Sequence, residues 1–398
     1  MVDENLRKKI LFVSGTRADF GKIKPLIQQI KDCEDFSYQI FATGMHMLSV
    51  YGLTVNEIRK AGFDNVYSFI NQDSAITSQM DLVLATTVQG LAYYVREYQP
   101  DLLVVHGDRV ESLAGAIVGA LNNILVAHIE GGERSGTVDE LIRHAITKLS
   151  HIHFVANDEA RNRLIQMGES PSSIFVIGSP DIDVMLSDQL PELLEVKEKY
   201  SIPFQDYYIF IYHPVTTEIN ELADHIHEVI NAVVDSEMNY VVIYPNNDVG
   251  ASIILQELKR LDGNPKIRMI PSMRFEHFLT LLRNAKAILG NSSVGIREAP
   301  VYGVPTINIG TRQMNRYEYA SIFNVDYSKT AILETLKGLP SSVKPSLHFG
   351  KGESAKLFLE ELHNDSLWNT SRQKQFVDFD VVERQSNNAA ADTNESEK

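Results

Sequence analysis

The chain is 398 residues long, 44% apolar and 22% charged, with a formal net charge of −15. This is the composition of a soluble globular protein with room for two domains, because single cores stop growing near ~300 residues, and the acidity excludes nucleic acid and anionic membrane as general partners. Cys33 is the only cysteine, which excludes an intrachain disulfide and a cysteine-rich metal site, while the lack of an apolar signal core or of any run near ~18 apolar residues predicts a cytoplasmic location without a membrane span.

From residue 9 to 180, short β-rich apolar runs alternate with amphipathic segments. Strands are predicted at Lys9–Ser14, Tyr38–Thr43, Leu102–His106, Ile124–Glu130, Ile152–Ala156 and Ile174–Ile177. Helices are predicted at Gly21–Lys31, Gln79–Tyr98, Ser112–Leu121 and Asp158–Met167, with another starting at Val138. Such alternation calls for a parallel, doubly wound sheet that binds ligands at the carboxyl ends of its strands. Asp181–Tyr200 reads as a charged helix containing Pro191, and Ser201-Ile-Pro203 breaks the pattern. It then restarts with strands Tyr207–Tyr212, Tyr240–Tyr244, Lys266–Ile270, Ala287–Leu289 and Pro305–Ile309. Helices Glu218–Val234, Val249–Leu261 and Phe275–Asn284 lie between them. The expected fold class is α/β, with two Rossmann-like domains (1–180 and 206–350) around a central cleft. A connecting helix and linker is expected at 181–205, a closing C-terminal helix at 351–370, and a disordered tail at 385–398.

The densest chemistry lies between His128 and Phe154. Thr137 and Glu140 have the spacing of a capping box. Val138, Leu141, Ile142, Ala145, Ile146 and Leu149 then form an apolar stripe, with Asp139, Glu140, Arg143, His144, Thr147 and Lys148 on the other face. So many titratable groups at a strand–helix junction mark a site. His106-Gly-Asp108-Arg109 ends a neighbouring apolar strand. Alternation sets His106 on one side with Asp108, and His128 with Glu130. A structural Asp–Arg pair would explain one such strand end; two adjacent ends favour a site, because each polar group needs a partner. The His-x-Asp, His-x-Glu and His151-x-His153 pairs match no established ligand spacing, and no metal is expected.

Other strand ends carry anion-binding features. Gly15-Thr-Arg17 opens a helix without the GxGxxG of a dinucleotide site, and reads equally as a phosphate loop or a plain turn. His213 ends the first strand of the second half, where Pro214 keeps it extended and aims it into the cleft. Tyr244-Pro-Asn246 repeats this arrangement. Gly290-Asn-Ser292-Ser293 offers free amides, two hydroxyls and a helix dipole to a diphosphate, with Glu298 placed one turn on to accept from a ribose diol. Gly310-Thr-Arg312-Gln-Met-Asn-Arg316, with two arginines after a strand, reads as an anion clamp.

Taken in order, TRADFGK, HGDR, HIEGGE-SGT-DE-IRHAITKL-H, HPVTT, YPNND-G, GNSS-G-RE and INIGTRQ resemble the hydrolysing UDP-N-acetylglucosamine 2-epimerases over roughly residues 8–370. These are sialic- and legionaminic-acid pathway enzymes of bacteria and the epimerase half of the animal bifunctional enzyme. The resemblance implies a GT-B-like fold, no cofactor, and a homodimer or homotetramer. It also implies a two-step reaction. UDP leaves by anti elimination with loss of the C2 proton, giving 2-acetamidoglucal; water then adds at C1, and a proton returns to C2 on the other face. Asp108, Glu130 and Asp139 match the family's acid set, the first two for proton transfer and cation stabilisation and the third for hydration. His213 matches the group that protonates or hydrogen-bonds the leaving diphosphate. Arg17, Arg109, Asn246, Ser292, Ser293, Glu298 and Arg312 fall on its UDP-binding positions. Gly21 departs from the Ser of the animal enzyme, which implies a lost hydroxyl contact.

ATGMH, YPNND-G and PSMRFEHFLTLL are similar to the branch that acts on UDP- or GDP-N,N'-diacetylbacillosamine, so that substrate stands as an alternative. A GT-B glycosyltransferase and a non-catalytic nucleotide-sugar-binding protein are the rivals of other classes. Three carboxylates argue against both, since a transferase usually needs one base and a binding protein none.

Overall fold

The computed structural model describes residues 7–73, 79–135, 138–246, 248–341 and 343–378. A first sheet contains β1 (Lys8–Ser14), β2 (Phe36–Ala42), β3 (Val66–Ser68), β4 (Leu102–His106), β5 (Leu125–Ile129), β6 (Ile152–Val155) and β7 (Ile174–Val176). It runs in the order β3-β2-β1-β4-β5-β6-β7, all parallel. A second sheet contains β8 (Tyr208–Ile211), β9 (Tyr240–Ile243), β10 (Ile267–Ile270), β11 (Ile288–Gly290), β12 (Thr306–Ile309) and β13 (Ile322–Val325). Its order is β10-β9-β8-β11-β12-β13, again all parallel. Each order reverses once, between β1 and β4 and between β8 and β11. Loops leaving those strand pairs diverge and open a crevice where ligands bind.

β4 and β5 are buried along their whole length, because helices cover both faces of the sheet. Leu102, Val104, Ala127 and Ile129 pack with Ile23, Leu26 and Ile27 of helix Arg17–Asp32. Leu103, Val105 and Val126 pack on the other side with Leu91, Val118 and Ile146. Continuous apolar strands of this kind are what a parallel sheet requires.

Three expectations need correction. The helix expected over Asp181–Tyr200 is two short helices, Pro180–Met185 and Leu193–Tyr200, parted at Pro191, which supplies no backbone donor. The first helix begins at Arg17 rather than Gly21, because Thr16 caps it by accepting from Asp19 N at 3.0 Å. In helix Val138–Leu149 the buried face holds Ile142, Arg143, Ile146 and Thr147, while Leu141 is 69% exposed. The buried stripe is therefore rotated relative to the apolar one, and it brings Arg143 into the cleft. Thr137 of the expected capping box lies outside the described residues, as does the tail at 385–398.

After the second sheet the chain returns to the first. Helix Ser354–Leu362 sets Phe358 and Leu362 in the core around Ile10 and Phe12, with Phe358 edge-on to Phe154 at 4.9 Å between centroids. Among the described residues no helix is long and apolar enough to cross a membrane.

Candidate active site

The carboxyl ends of the two sheets face each other across a cavity of about 350 Å³. On the first lobe, Asp19 sits in the first turn after β1. Its Oδ2 accepts from Gly15 N at 3.0 Å, and its Oδ1 lies 2.9 Å from His106 Nδ1 at the end of β4. His106 Nε2 in turn lies 3.3 Å from Glu130 Oε2, just beyond β5. Burial opposes a charge on His106, but Glu130 and Asp19 on either side outweigh it and raise its pKa to about 10. It is therefore an imidazolium between two carboxylates.

Glu130 reaches this position through its backbone. Simple alternation would place it on the side of His128, but it adopts φ = 66°, a left-handed conformation that non-glycine residues seldom take. The turn swings its side chain to His106, while His128 stays behind, bonded to Thr147 Oγ1 and to Gly107 O. The sequence expectation that His128 and Glu130 share a side is thus overturned. His151 and His153 are also held structurally: His151 Nδ1 accepts from Val126 N, and His153 Nε2 lies 3.0 Å from Glu169.

Across the cleft, Arg297 from the second lobe donates to Glu130 Oε1 at 2.7 Å and also to Glu133 and Ser179. Arg316 reaches Glu133 as well, at 3.0 Å. Burial would raise the pKa of Glu130, yet Arg297, His106 and Lys22 prevail and hold it well below the usual carboxylate range. Asp108 is bound by Arg143 and is 28% exposed. Burial works against its charge too, but Arg143, Arg316 and Arg312 keep it ionised. Asp139 accepts from Arg312 Nη2 at 3.1 Å.

The second lobe contributes groups for an anion. His213 Nδ1 accepts from Asn246 N at 3.0 Å, which places the ring proton on Nε2. Burial, reinforced by Arg312 and Arg109, holds its pKa well below the ordinary histidine value. It is a neutral donor. Ser292 and Ser293 precede the short helix Val294–Arg297, and Arg312 is tied to Asn291 O at 3.3 Å.

Asp108, Glu130, Asp139, His213, Arg17, Arg109, Asn246, Ser292, Ser293, Glu298 and Arg312 all line this one cavity. Several have protein partners there: Arg17 donates to Ser272 at 2.8 Å, Arg109 lies 3.1 Å from Glu111, and Glu298 lies 2.7 Å from Lys22 Nζ. Gly21 has a steric role, because a Cβ there would fall 2.5 Å from Phe275 Cβ of the other lobe. Sequence reasoning gives no role to Lys22, Glu133, Arg143 and Arg297, and makes Arg316 the second arginine of the anion clamp. Helical period sets Arg143 on the face opposite the apolar stripe. The one usable signal is Arg297, set with Glu298 between apolar residues in Val294-Gly-Ile-Arg-Glu-Ala-Pro300.

A profile of the family described as UDP-N-acetylglucosamine 2-epimerase matches residues 28–363. A UDP-N-acetylglucosamine 2-epimerase of Neisseria meningitidis serogroup B is 47% identical over 379 residues, covering 94% of this chain and 100% of that protein. A UDP-N,N'-diacetylbacillosamine 2-epimerase (hydrolyzing) of Legionella pneumophila is 35% identical, covering 88% of this chain and 94% of that protein. Among solved structures, a Methanocaldococcus jannaschii UDP-GlcNAc 2-epimerase in complex with UDP-GlcNAc and UDP superposes with a TM-score of 0.76 at 21% identity. That match covers 89% of this chain and 99% of the other, and it shows the shared GT-B-like fold.

Proposed function

This chain belongs to the UDP-N-acetylglucosamine 2-epimerase family, and on that premise we propose that it hydrolyses UDP-N-acetylglucosamine to N-acetylmannosamine and UDP for nonulosonic acid biosynthesis. The observation that carries this reading is the division of labour across the cavity. Asp108, Glu130 and Asp139 lie on the first lobe; His213, Ser292, Ser293 and Arg312 lie on the second.

In the first step the C2 proton and the C1–O bond to UDP are lost together, leaving 2-acetamidoglucal. C2 has no carbonyl beside it, so positive charge develops at C1 and negative charge on the diphosphate. Glu130, clasped by His106, Arg297 and Ser179, is a poor proton acceptor but a fixed anion, suited to stabilising C1. Asp108 is the more open carboxylate, and we assign it the C2 proton. The His213 Nε2–H and the Ser292–Ser293 turn meet the departing diphosphate. In the second step water adds at C1, directed by Asp139, and a proton is delivered to C2 on the opposite face. Arg17, Arg109, Asn246, Glu298 and Arg312 complete the nucleotide site.

The 35% identical relative supports a second substrate, a nucleotide-linked N,N'-diacetylbacillosamine. Exposed Leu82, Leu121 and Leu141, on three adjoining helices of the first lobe, support a homodimer or homotetramer, and the reading includes a cytoplasmic location. The test is incubation with UDP-N-acetylglucosamine in D₂O, without acceptor, followed by NMR. Free UDP with N-acetylmannosamine deuterated at C2 is the expected result. Unchanged substrate defeats this version, and a parallel run with the UDP- and GDP-linked bacillosamine sugars decides the alternative. Turnover only on adding an acceptor would point to a glycosyltransferase.

A further inference from the structure

Asn291 belongs to none of the groups assigned above, and its side chain is fully buried at the point where the second sheet reverses its strand order. It follows Gly290, which has φ = 127° and passes so close to β8 that a Cβ would lie 1.8 Å from Ile211 O. That approach brings Asn291 alongside the loop leaving β8. Its own N donates to Ile211 O at 3.2 Å. Its Oδ1 accepts from His213 N at 2.7 Å, and its Nδ2 donates to His213 O at 2.8 Å. One side chain thus takes both main-chain polar groups of His213, as a partner strand would, where the sheet itself has ended. Its carbonyl meanwhile accepts from Arg312 Nη1 at 3.3 Å and from Gln313 Nε2 at 3.0 Å.

Three loops therefore converge on one residue: 213–217 after β8, 291–293 after β11 and 310–313 after β12. Each carries part of the anion grip. A bidentate amide is the side chain that can donate and accept at once, and an unmet His213 main-chain group would be costly at this depth.

We propose that Asn291 is a positioning residue that locks His213 and Arg312 in a fixed relation to the Ser292–Ser293 turn, so that a diphosphate meets a preassembled set of donors. This rests on the nucleotide-sugar reading given above. Preorganised donors contribute more than donors that must first be ordered, and the ties that join the three loops run through a residue that need not touch the ligand.

The test pairs two measurements on the full chain carrying Asn291→Ala or Asn291→Asp. The first is the ring ¹⁵N NMR signal of His213, assigned by its loss in His213→Gln. The native protein is expected to show one sharp neutral Nε2–H tautomer, and both variants a broadened or mixed signal. The second is UDP affinity by calorimetry, expected to weaken by about tenfold or more in both variants. Asn291→Asp keeps the volume and the acceptor but faces His213 O with a carboxylate oxygen in place of the donor, so its His213 signal remains informative if Asn291→Ala does not fold. A sharp, native-like His213 signal in a folded variant overturns the proposal, as does unchanged UDP affinity. If the native protein does not bind UDP, the nucleotide-sugar reading fails while the histidine signal still decides the positioning role.

Discussion

Arg297 Nη2 donates to Glu130 Oε1 at 2.7 Å across the interlobe cleft, and both side chains are buried. A guanidinium held there by Glu130, Glu133 and Ser179 fastens the lobes together and keeps the central carboxylate ionised. Removing one member of such a pair leaves its partner as an uncompensated buried charge. Arg297→Met is therefore expected to lower unfolding free energy by about 3–5 kcal/mol. Urea denaturation checks this, and an unshifted midpoint would show that the pair is not a structural tie.

His106 gives a pH signature. Its pKa is raised to about 10 in the folded chain, against about 6.5 unfolded. The stability it contributes is complete below the unfolded value and is lost as pH rises through the folded one. The gap in unfolding free energy between the native protein and His106→Asn is expected to be widest below about pH 6.5 and to shrink toward about pH 10. A gap that widened with pH would mean that the imidazole is neutral.

His213 should behave in the opposite way to a titrating acid. Its Nδ1 is occupied by Asn246 N and burial disfavours its charged form, so its function needs only the Nε2–H. His213→Gln, which retains a donor, is expected to lose less than about tenfold in kcat/KM, and His213→Ala about a hundredfold. Equal losses would point to genuine proton donation.

Asp108→Asn is expected to reduce turnover by at least about a thousandfold while UDP affinity stays nearly unchanged. The swap is nearly isosteric, and Asp108 lines the cavity from the lobe opposite His213 and the Ser292–Ser293 turn. Single-turnover assays and calorimetry separate the two effects. Surviving turnover would shift the C2 proton to another carboxylate.

Gly21→Ser should push the lobes apart, since its Cβ would fall 2.5 Å from Phe275 Cβ. Overpacking of this kind costs about 1–3 kcal/mol, visible as a lower Tm. Gly21→Ser combined with Phe275→Ala is expected to recover most of it. No recovery would mean that the contact with Phe275 is not the cause.

Much of this was written in the sequence. Apolar runs such as Leu102–His106 can be buried on both faces only in a parallel sheet, so the two-sheet class and most strand positions follow from hydrophobic period alone. The strands expected from the sequence agree with the observed ones to within two residues at either end. Val66–Ser68 and Ile322–Val325 were not legible, because neither edge strand holds a fully buried residue and no apolar run marks it. The ordered motifs named the family, and the eleven residues they singled out line one cavity.

Tertiary structure decided how those residues act. Sequence alternation cannot register that Glu130 turns through φ = 66° and so joins His106 rather than His128. Helical period put Arg143 opposite the apolar stripe; its bonds to Asp108 and to Glu133 O hold it inside. Arg297 and Glu130 are separated by 167 residues, and no local pattern predicts a pair that exists only where the two sheets face each other. The sequence determines which chemical groups are present and which strands deliver them. Their charge states and partners come from burial and from neighbours that only the closed cleft supplies.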